Sequence, residues 1–188
     1  MKTRLKSLIL AIAVVFTTSA FAQKKEIKAS ESTINWTGKK VTGSHTGTLN
    51  LSEGFLVFEG DKITSGEFVV DMTTLTVTDL EAGKGKEKLE GHLNSDDFFG
   101  TENYKTAKLV VAKTLKTKDG YKISGDLTIK DKTNPITFNL NIKGDTASTT
   151  LKVDRTKYDI KYGSGSFFDN LGDKTISDEF ELTVNLKM

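Results

Sequence analysis

Residues 120–143 read GYKISGDLTIKDKTNPITFNLNIK, and their patterning decides the fold class. Ile123, Gly125, Leu127 and Ile129 alternate with Lys122, Ser124, Asp126 and Lys130. After the polar run Asp131 to Asn134, Ile136, Phe138, Leu140 and Ile142 alternate with Thr137, Asn139, Asn141 and Lys143. Successive side chains of a strand point to opposite faces, so a period of two describes strands with one dry and one wet face. Antiparallel sheets show that division, whereas parallel sheets are buried on both faces. Two such runs around a short polar break form a hairpin.

The same pattern spreads outward. Phe180, Leu182, Val184 and Leu186 alternate with Glu179, Glu181, Thr183, Asn185 and Lys187, and Asp119-Gly120 and Gly144-Asp145 punctuate neighbouring runs. Strands are expected near 26–37, 45–52, 55–59, 63–72, 105–115, 120–130, 134–143, 147–155 and 176–187. So many antiparallel strands in one domain predict an all-β fold. Closure into a barrel removes the exposed edges, with a sandwich as the alternative. The Lys- and Thr-rich outer positions suit a water-facing rather than a lipid-facing surface. Alternation fails over residues 83–99, where Leu89 and Leu93 share a helical face and a short helix should end near Asn94, weakened by Gly91. A second irregular stretch, 162–174, carries Gly163, Gly165 and Gly172 and reads as a mobile loop.

The amino terminus has a separate logic. Lys2, Arg4 and Lys6 precede an apolar run, Leu8 to Phe16, that is too short to span a bilayer, and Ala20-Phe21-Ala22 fits a cleavage site. Residues 1–22 are therefore expected to be a signal peptide, residues 23–188 a single exported domain, and the location periplasmic or secreted. Removing the leader takes three positive charges and no negative ones, turning the net charge from +2 to about −1. That argues against a nucleic-acid partner, which needs concentrated positive charge. The absence of cysteine excludes disulfides, thiolate nucleophiles and cysteine metal sites. No phosphate-binding loop, dinucleotide fingerprint or Gly-x-Ser-x-Gly elbow is present.

Several segments resemble the YceI-like, polyisoprenoid-binding family. GHLNSDDFFGTENY (91–104) resembles its signature in His92, Leu93, Asp97, Phe98, Phe99 and Tyr104, with Lys105 standing where many members have proline. SGDLTIKDKTNPITFNLNI (124–142) resembles its paired strands, and VDRTKYDIKYG (153–163) its late Arg-Thr segment. GSHTGTL (43–49) and GEFVVDM (66–72) resemble its early strands. The resemblance implies an antiparallel, lipocalin-like eight-stranded barrel with a short helix near one end. It also implies an exported binding protein, not an enzyme, that holds an isoprenoid such as a prenyl quinone and requires no other cofactor. Transient membrane contact and a homodimer are compatible with that role.

An eight-stranded barrel is just wide enough to be filled by side chains or to hold one slim ligand. Phe68, Phe138, Leu140, Phe180 and Leu182 are candidate lining residues, with a filled core as the alternative. Trp36 is expected in the core or the lining. Phe98 and Phe99, being adjacent, should diverge, one plugging the barrel end and one packing under the helix. His92 supports three readings: a structural histidine at a helix end, a polar group at the barrel mouth touching a ligand head group, or a metal or acid–base residue acting with His45. Asp97 is expected to tie the following turn by accepting from backbone N–H groups. Arg155 is the only arginine after residue 22. Its forked guanidinium suits an ion pair with an aspartate, or else an anionic or quinone head group. Two rival functions stay open: a metal-dependent or acid–base hydrolase built on His45 and His92, and a filled barrel whose loops act in a stress response.

Overall fold

The computed structural model describes residues 22–188, so the expected leader lies, but for Ala22, outside the described residues. Nine strands follow in sequence: β1 (Ala22–Glu26), β2 (Thr33–Lys40), β3 (Gly43–Glu59), β4 (Lys62–Val77), β5 (Thr106–Thr117), β6 (Gly120–Ile129), β7 (Lys132–Lys143), β8 (Thr146–Asp154) and β9 (Ile176–Lys187). One helix, α1 (Lys86–Asn94), lies between β4 and β5. Each strand from β2 to β9 pairs antiparallel with the next, and β2 pairs with β9, so the sheet closes on itself. β1 and β2 lie one after the other along the same edge of β3, Ala22 opposite Glu59 and Lys40 opposite Gly43. The nine strands thus fill eight positions of a closed up-and-down barrel.

The hairpin of residues 120–143 forms with Ile123 opposite Phe138 and Tyr121 opposite Leu140. Its turn is tighter than expected: β7 begins at Lys132, and Lys130 and Asp131 take the two positive-φ positions at 48° and 56°. Two residues in that conformation match the right-handed twist of the strands they join.

Three strand boundaries differ from the expectation. The run 26–37 is not one strand, because a helical turn at Ala29–Glu31 separates β1 from β2. Ser32 Oγ fastens that break, donating to Lys28 O and accepting from Lys187 N. The runs 45–52 and 55–59 are a single strand bent by register shifts rather than two. The run 63–72 continues to Val77 past a bulge at Asp71–Thr74. There Asp71 Oδ1 accepts from the backbone and hydroxyl of Thr73, while Thr74 Oγ1 accepts from Asn50 N and donates to Asp71 O. Side chains replace the ladder bonds that the bulge removes.

The two ends of the barrel are unlike. At one end the chain turns sharply between β3 and β4, β5 and β6, and β7 and β8. Ile27, Leu56, Ile63, Tyr121, Ile123, Leu140 and Leu186 pack across that end as a floor. The Tyr121 hydroxyl donates to Asp61 O, tying the β6 wall to the β3–β4 turn. At the other end lie both long connections, 78–105 with α1 and 155–175, which sit over the opening.

Candidate functional site

The barrel interior is hollow. A cavity of about 650 Å³ extends from the floor, among Leu56, Ile123 and Leu140, to a mouth bordered by Lys39, Lys40, His45, Lys88 and Tyr162. Its size is that of a pocket for a small organic ligand. The inward alternation produces this directly. On β7 and β9, Phe138, Phe180, Leu182 and Val184 point inward yet are only half-buried, because they face open space instead of an opposing layer.

All ten residues singled out from the sequence border this cavity: Trp36, Phe68, His92, Phe98, Phe99, Phe138, Leu140, Arg155, Phe180 and Leu182. Trp36, Leu182 and Leu151 lie side by side across β2, β9 and β8. Behind the indole is Gly47, where an added Cβ would lie 1.8 Å from Thr76 O and 2.5 Å from the Trp36 ring. A glycine is needed there because indole and backbone both occupy the space a side chain would take.

Aromatic rings cross the mouth in a chain. Tyr162 meets His92 at 4.4 Å, His92 meets Phe98 at 5.5 Å, Phe98 meets Phe99 at 5.2 Å, and Phe99 meets Phe180 at 6.0 Å. All four contacts are edge-to-face, the favoured geometry for such pairs. Phe98 packs buried among Leu93 and the wall, and Phe99 turns toward β9. The two adjacent rings therefore diverge as expected.

Helix α1 is clamped to the rim. Gly85 precedes it with φ 103°, and the Glu87 carboxylate accepts from Gly83 N at 3.0 Å. Leu93 is buried beneath. Glu90 accepts from Val77 N at 2.8 Å and from the Thr76 hydroxyl at 2.7 Å. Those two donors hold the Glu90 carboxyl below its ordinary range, with burial opposing and Lys86 assisting. The turn that follows departs from expectation: no hydrogen bond to Asp97 is made among the described residues. Ser95 O accepts from Phe98 N and Gly100 N, Asp96 Oδ1 accepts from Asn103 Nδ2, and Lys130 Nζ donates to Asp96 O and Phe98 O. Asp97 is exposed, and its neighbours and a lysine from the β6–β7 turn do the tying.

Arg155 is fully buried and serves as a fastener. Nη1 donates to Ile160 O at 2.6 Å, Nε to Ser177 O at 2.9 Å and Nη2 to Ile176 O at 3.1 Å, while Asp178 lies 3.7 Å from Nη2. Backbone carbonyls, more than the aspartate, satisfy the fork. The guanidinium also sits 5.6 Å from the Phe98 ring centre. Burial lowers the Arg155 pKa, opposed by Asp178 and Asp154. The same burial, with Asp154 nearby, pushes the Tyr158 phenol up to about 12. Residues 162–174, expected as a mobile loop, are tied down at several points. Ser164 bridges to Ile176, Ile176 N donates to Gly163 O, Val41 N donates to Thr175 O, and the Ser166 hydroxyl donates to Asp178 at 2.5 Å.

The two histidines are differently placed. His45 Nδ1 is 2.9 Å from Asp79, whose other oxygen accepts from Thr46 N. Burial works to raise the Asp79 carboxyl, but the Thr46 and His45 contacts overcome it and leave the group below its usual range. His92 lies between Phe98 and Tyr162, and its Nε2 is buried without a hydrogen-bond partner, as are Trp36 Nε1 and Thr149 Oγ1. Among the described residues, no three His, Asp or Glu side chains converge as metal ligands. Glu179 is the one carboxylate among the described cavity-lining residues, and it pairs with Lys152. The arrangement can enclose an apolar chain.

The YceI-like domain profile matches residues 26–188. The chain belongs to the YceI-like domain family. Among curated relatives, a UPF0312 protein of Photorhabdus laumondii is 29% identical over 99 residues, covering 53% of this chain and 49% of the relative. A UPF0312 protein of Staphylococcus aureus is 33% identical over 86 residues, 46% of each chain. The chain thus spans about half the length of the curated relatives it matches. The YceI-like barrel is similar to the crystal structure of Burkholderia cenocepacia BcnA, with TM-score 0.66, 19% identity and coverage of 85% of this chain and 98% of that one. It is also similar to a polyisoprenoid binding domain from Saccharophagus degradans, with TM-score 0.58, 15% identity and coverage of 86% and 95%. These likenesses establish the lipocalin-like fold, and the family suggests a binding protein rather than an enzyme.

Proposed function

We propose that this YceI-like domain is an exported carrier that holds one amphiphilic isoprenoid, such as a prenyl quinone, with its tail in the barrel and its polar head at the mouth. The periplasm or the external medium is its proposed location. The observation that carries this reading is the apolar cavity of about 650 Å³, closed at the floor and open at one rim. A methylene occupies about the room of a water molecule, ~30 Å³, so the cavity accommodates on the order of twenty chain carbons. At about 0.8 kcal/mol for each methylene buried, such a tail has a gross driving force of roughly 16 kcal/mol. Micromolar binding needs about 8 kcal/mol, which leaves a margin for ordering the tail. The half-buried lining of β7 and β9 supports a hollow barrel over a filled one that works through its loops. The structural likeness to a polyisoprenoid binding domain agrees with the choice of ligand.

The volume makes the reading testable by chain length. Prenyl quinones with successively longer tails, presented from detergent, are expected to bind more tightly up to about twenty tail carbons, after which affinity levels off as further units leave through the mouth. Affinity independent of tail length would count against occupation of the barrel.

A further inference from the structure

The rim of the cavity differs from the rest of the surface. Six large apolar side chains are exposed among the described residues, and four belong to the mouth end: Val41 at 66%, Tyr162 at 48%, Phe167 at 50% and Phe168 at 51%. They form one neighbourhood. Val41 N donates to Thr175 O, joining the β2–β3 turn to the 162–175 segment. Phe167 N and Phe168 N both donate to Ser164 O, and Ser164 bridges to Ile176, itself a lining residue. Tyr162 borders the mouth and meets His92 edge to face. Ordinary turns leave such positions polar, and two adjacent exposed phenylalanines have a hydration cost that a water-filled surroundings does not return.

Charge at the same place is mixed, with Asp169, Asp173 and the lining Glu179 close by, but three of its lysines are free. Lys39, Lys40 and Lys88 border the opening, and none has a carboxylate within ion-pair distance among the described residues. Most other rim lysines are engaged: Lys84 with Glu81, Lys86 with Glu90, and Lys161 with Asp159. Apolar knobs beside unpaired lysines are the composition that binds the interface of an anionic bilayer, where rings enter the headgroup layer and ammonium groups meet phosphates.

We propose that the mouth end docks on an anionic phospholipid surface, with Val41, Tyr162, Phe167 and Phe168 entering the interfacial layer and Lys39, Lys40 and Lys88 against the phosphates. The cavity then opens directly into the lipid, and an isoprenoid passes between bilayer and barrel without crossing water; that last step rests on the carrier reading above. The docking itself needs no ligand.

Flotation of the protein as recovered from its host, with vesicles of phosphatidylglycerol or of phosphatidylcholine, tests the surface. Each lysine near an anionic surface contributes about fivefold, so preference for phosphatidylglycerol is expected on the order of a hundredfold and is expected to fall steeply in about 0.5 M salt. The double substitution Phe167→Ser, Phe168→Ser touches exposed rings only and is expected to lower vesicle binding at least about tenfold. It should leave capture of a prenyl quinone from detergent unchanged. Equal, weak flotation with both lipids would overturn the proposal, as would a double variant that floats like the parent. Quinone capture from detergent reports the carrier reading separately: its failure alongside selective flotation removes the ligand and leaves the docking surface standing.

Discussion

Replacing Arg155 with methionine is expected to unfasten the 160–177 segment at a cost of about 4 kcal/mol. Methionine fills much of the same space but donates nothing, so three carbonyls lose their partner: Ile160 O, Ser177 O and Ile176 O. Ile160 is fully buried, so its carbonyl is left unsatisfied at about 1–3 kcal/mol. Ser177 and Ile176 are half-buried and can recover water, at about 0.5–1 kcal/mol each. Asp178 loses its buried counter-charge, and removing one member of such a pair costs about 3–5 kcal/mol where the pair is tight; at 3.7 Å this one is loose and adds the smaller part. Urea unfolding gives the total. Amide exchange locates it, since Ile160 N donates to Arg155 O and Ile176 N to Gly163 O, and both amides are expected to lose protection before the barrel strands do. Arg155→Lys should recover less than half the loss, because one ammonium cannot fork to three carbonyls. A methionine variant within about 1 kcal/mol of the parent, with both amides still protected, would refute the assignment of Arg155 as the fastener of the mouth.

Other consequences are more local. The carboxyls of Glu90 and Asp79 are held low in the folded protein, so their contribution to stability is fully present above the ordinary carboxylate range and is lost as pH falls through the lowered values. Acid titration followed at the Val77 amide resonance should therefore show a midpoint below 4.5, the reference value for Glu90, and Glu90→Gln should abolish it. Gly47→Ala places a Cβ 1.8 Å from Thr76 O and 2.5 Å from Trp36, and is expected to cost about 3 kcal/mol or more in thermal or urea unfolding; a neutral result would mean that the indole does not lie over Gly47. Trp36 is the only tryptophan and faces the cavity, so a bound quinone should quench the intrinsic fluorescence while a quinone lacking its prenyl tail should not.

The strands were legible because their signal is local. Ile123 to Ile129 and Phe180 to Leu186 declare their inward faces residue by residue, and Gly144-Asp145 marks its turn without reference to the rest of the chain. The breaks were not. The β4 bulge falls at Asp71–Thr74, where alternation stops, and only the pairing of Thr76 with Thr48 and of Val77 with Gly47 on β3 shows that the strand resumes. The β1–β2 interruption depends on Ser32 meeting Lys187, 155 residues away in sequence. Phe68, Phe138, Leu140, Phe180 and Leu182 reach the cavity wall because period two with a known dry face tells where a strand side chain points; His92, Phe98, Phe99 and Arg155 reach it from connections that carry no such period. Whether the interior was hollow could not be read in that way, because it depends on the summed side-chain volume of eight strands around a closed circumference. Lys130 and Ser95 were missed around the Phe98 turn, and Asp97 was favoured in their place. Residue type identifies an acceptor-rich aspartate, but a lysine arriving from the β6–β7 turn has no sequence signature.

Mass spectrometry of an organic extract of the protein purified from its host tests most directly whether the barrel carries a prenyl lipid. A prenyl lipid is expected in near-equal amount to the protein, its polar head compatible with the lysine-bordered mouth and its tail reaching the floor at Leu56 and Leu140. Repeated recovery of empty protein that also fails to take up added prenyl quinones would contradict it.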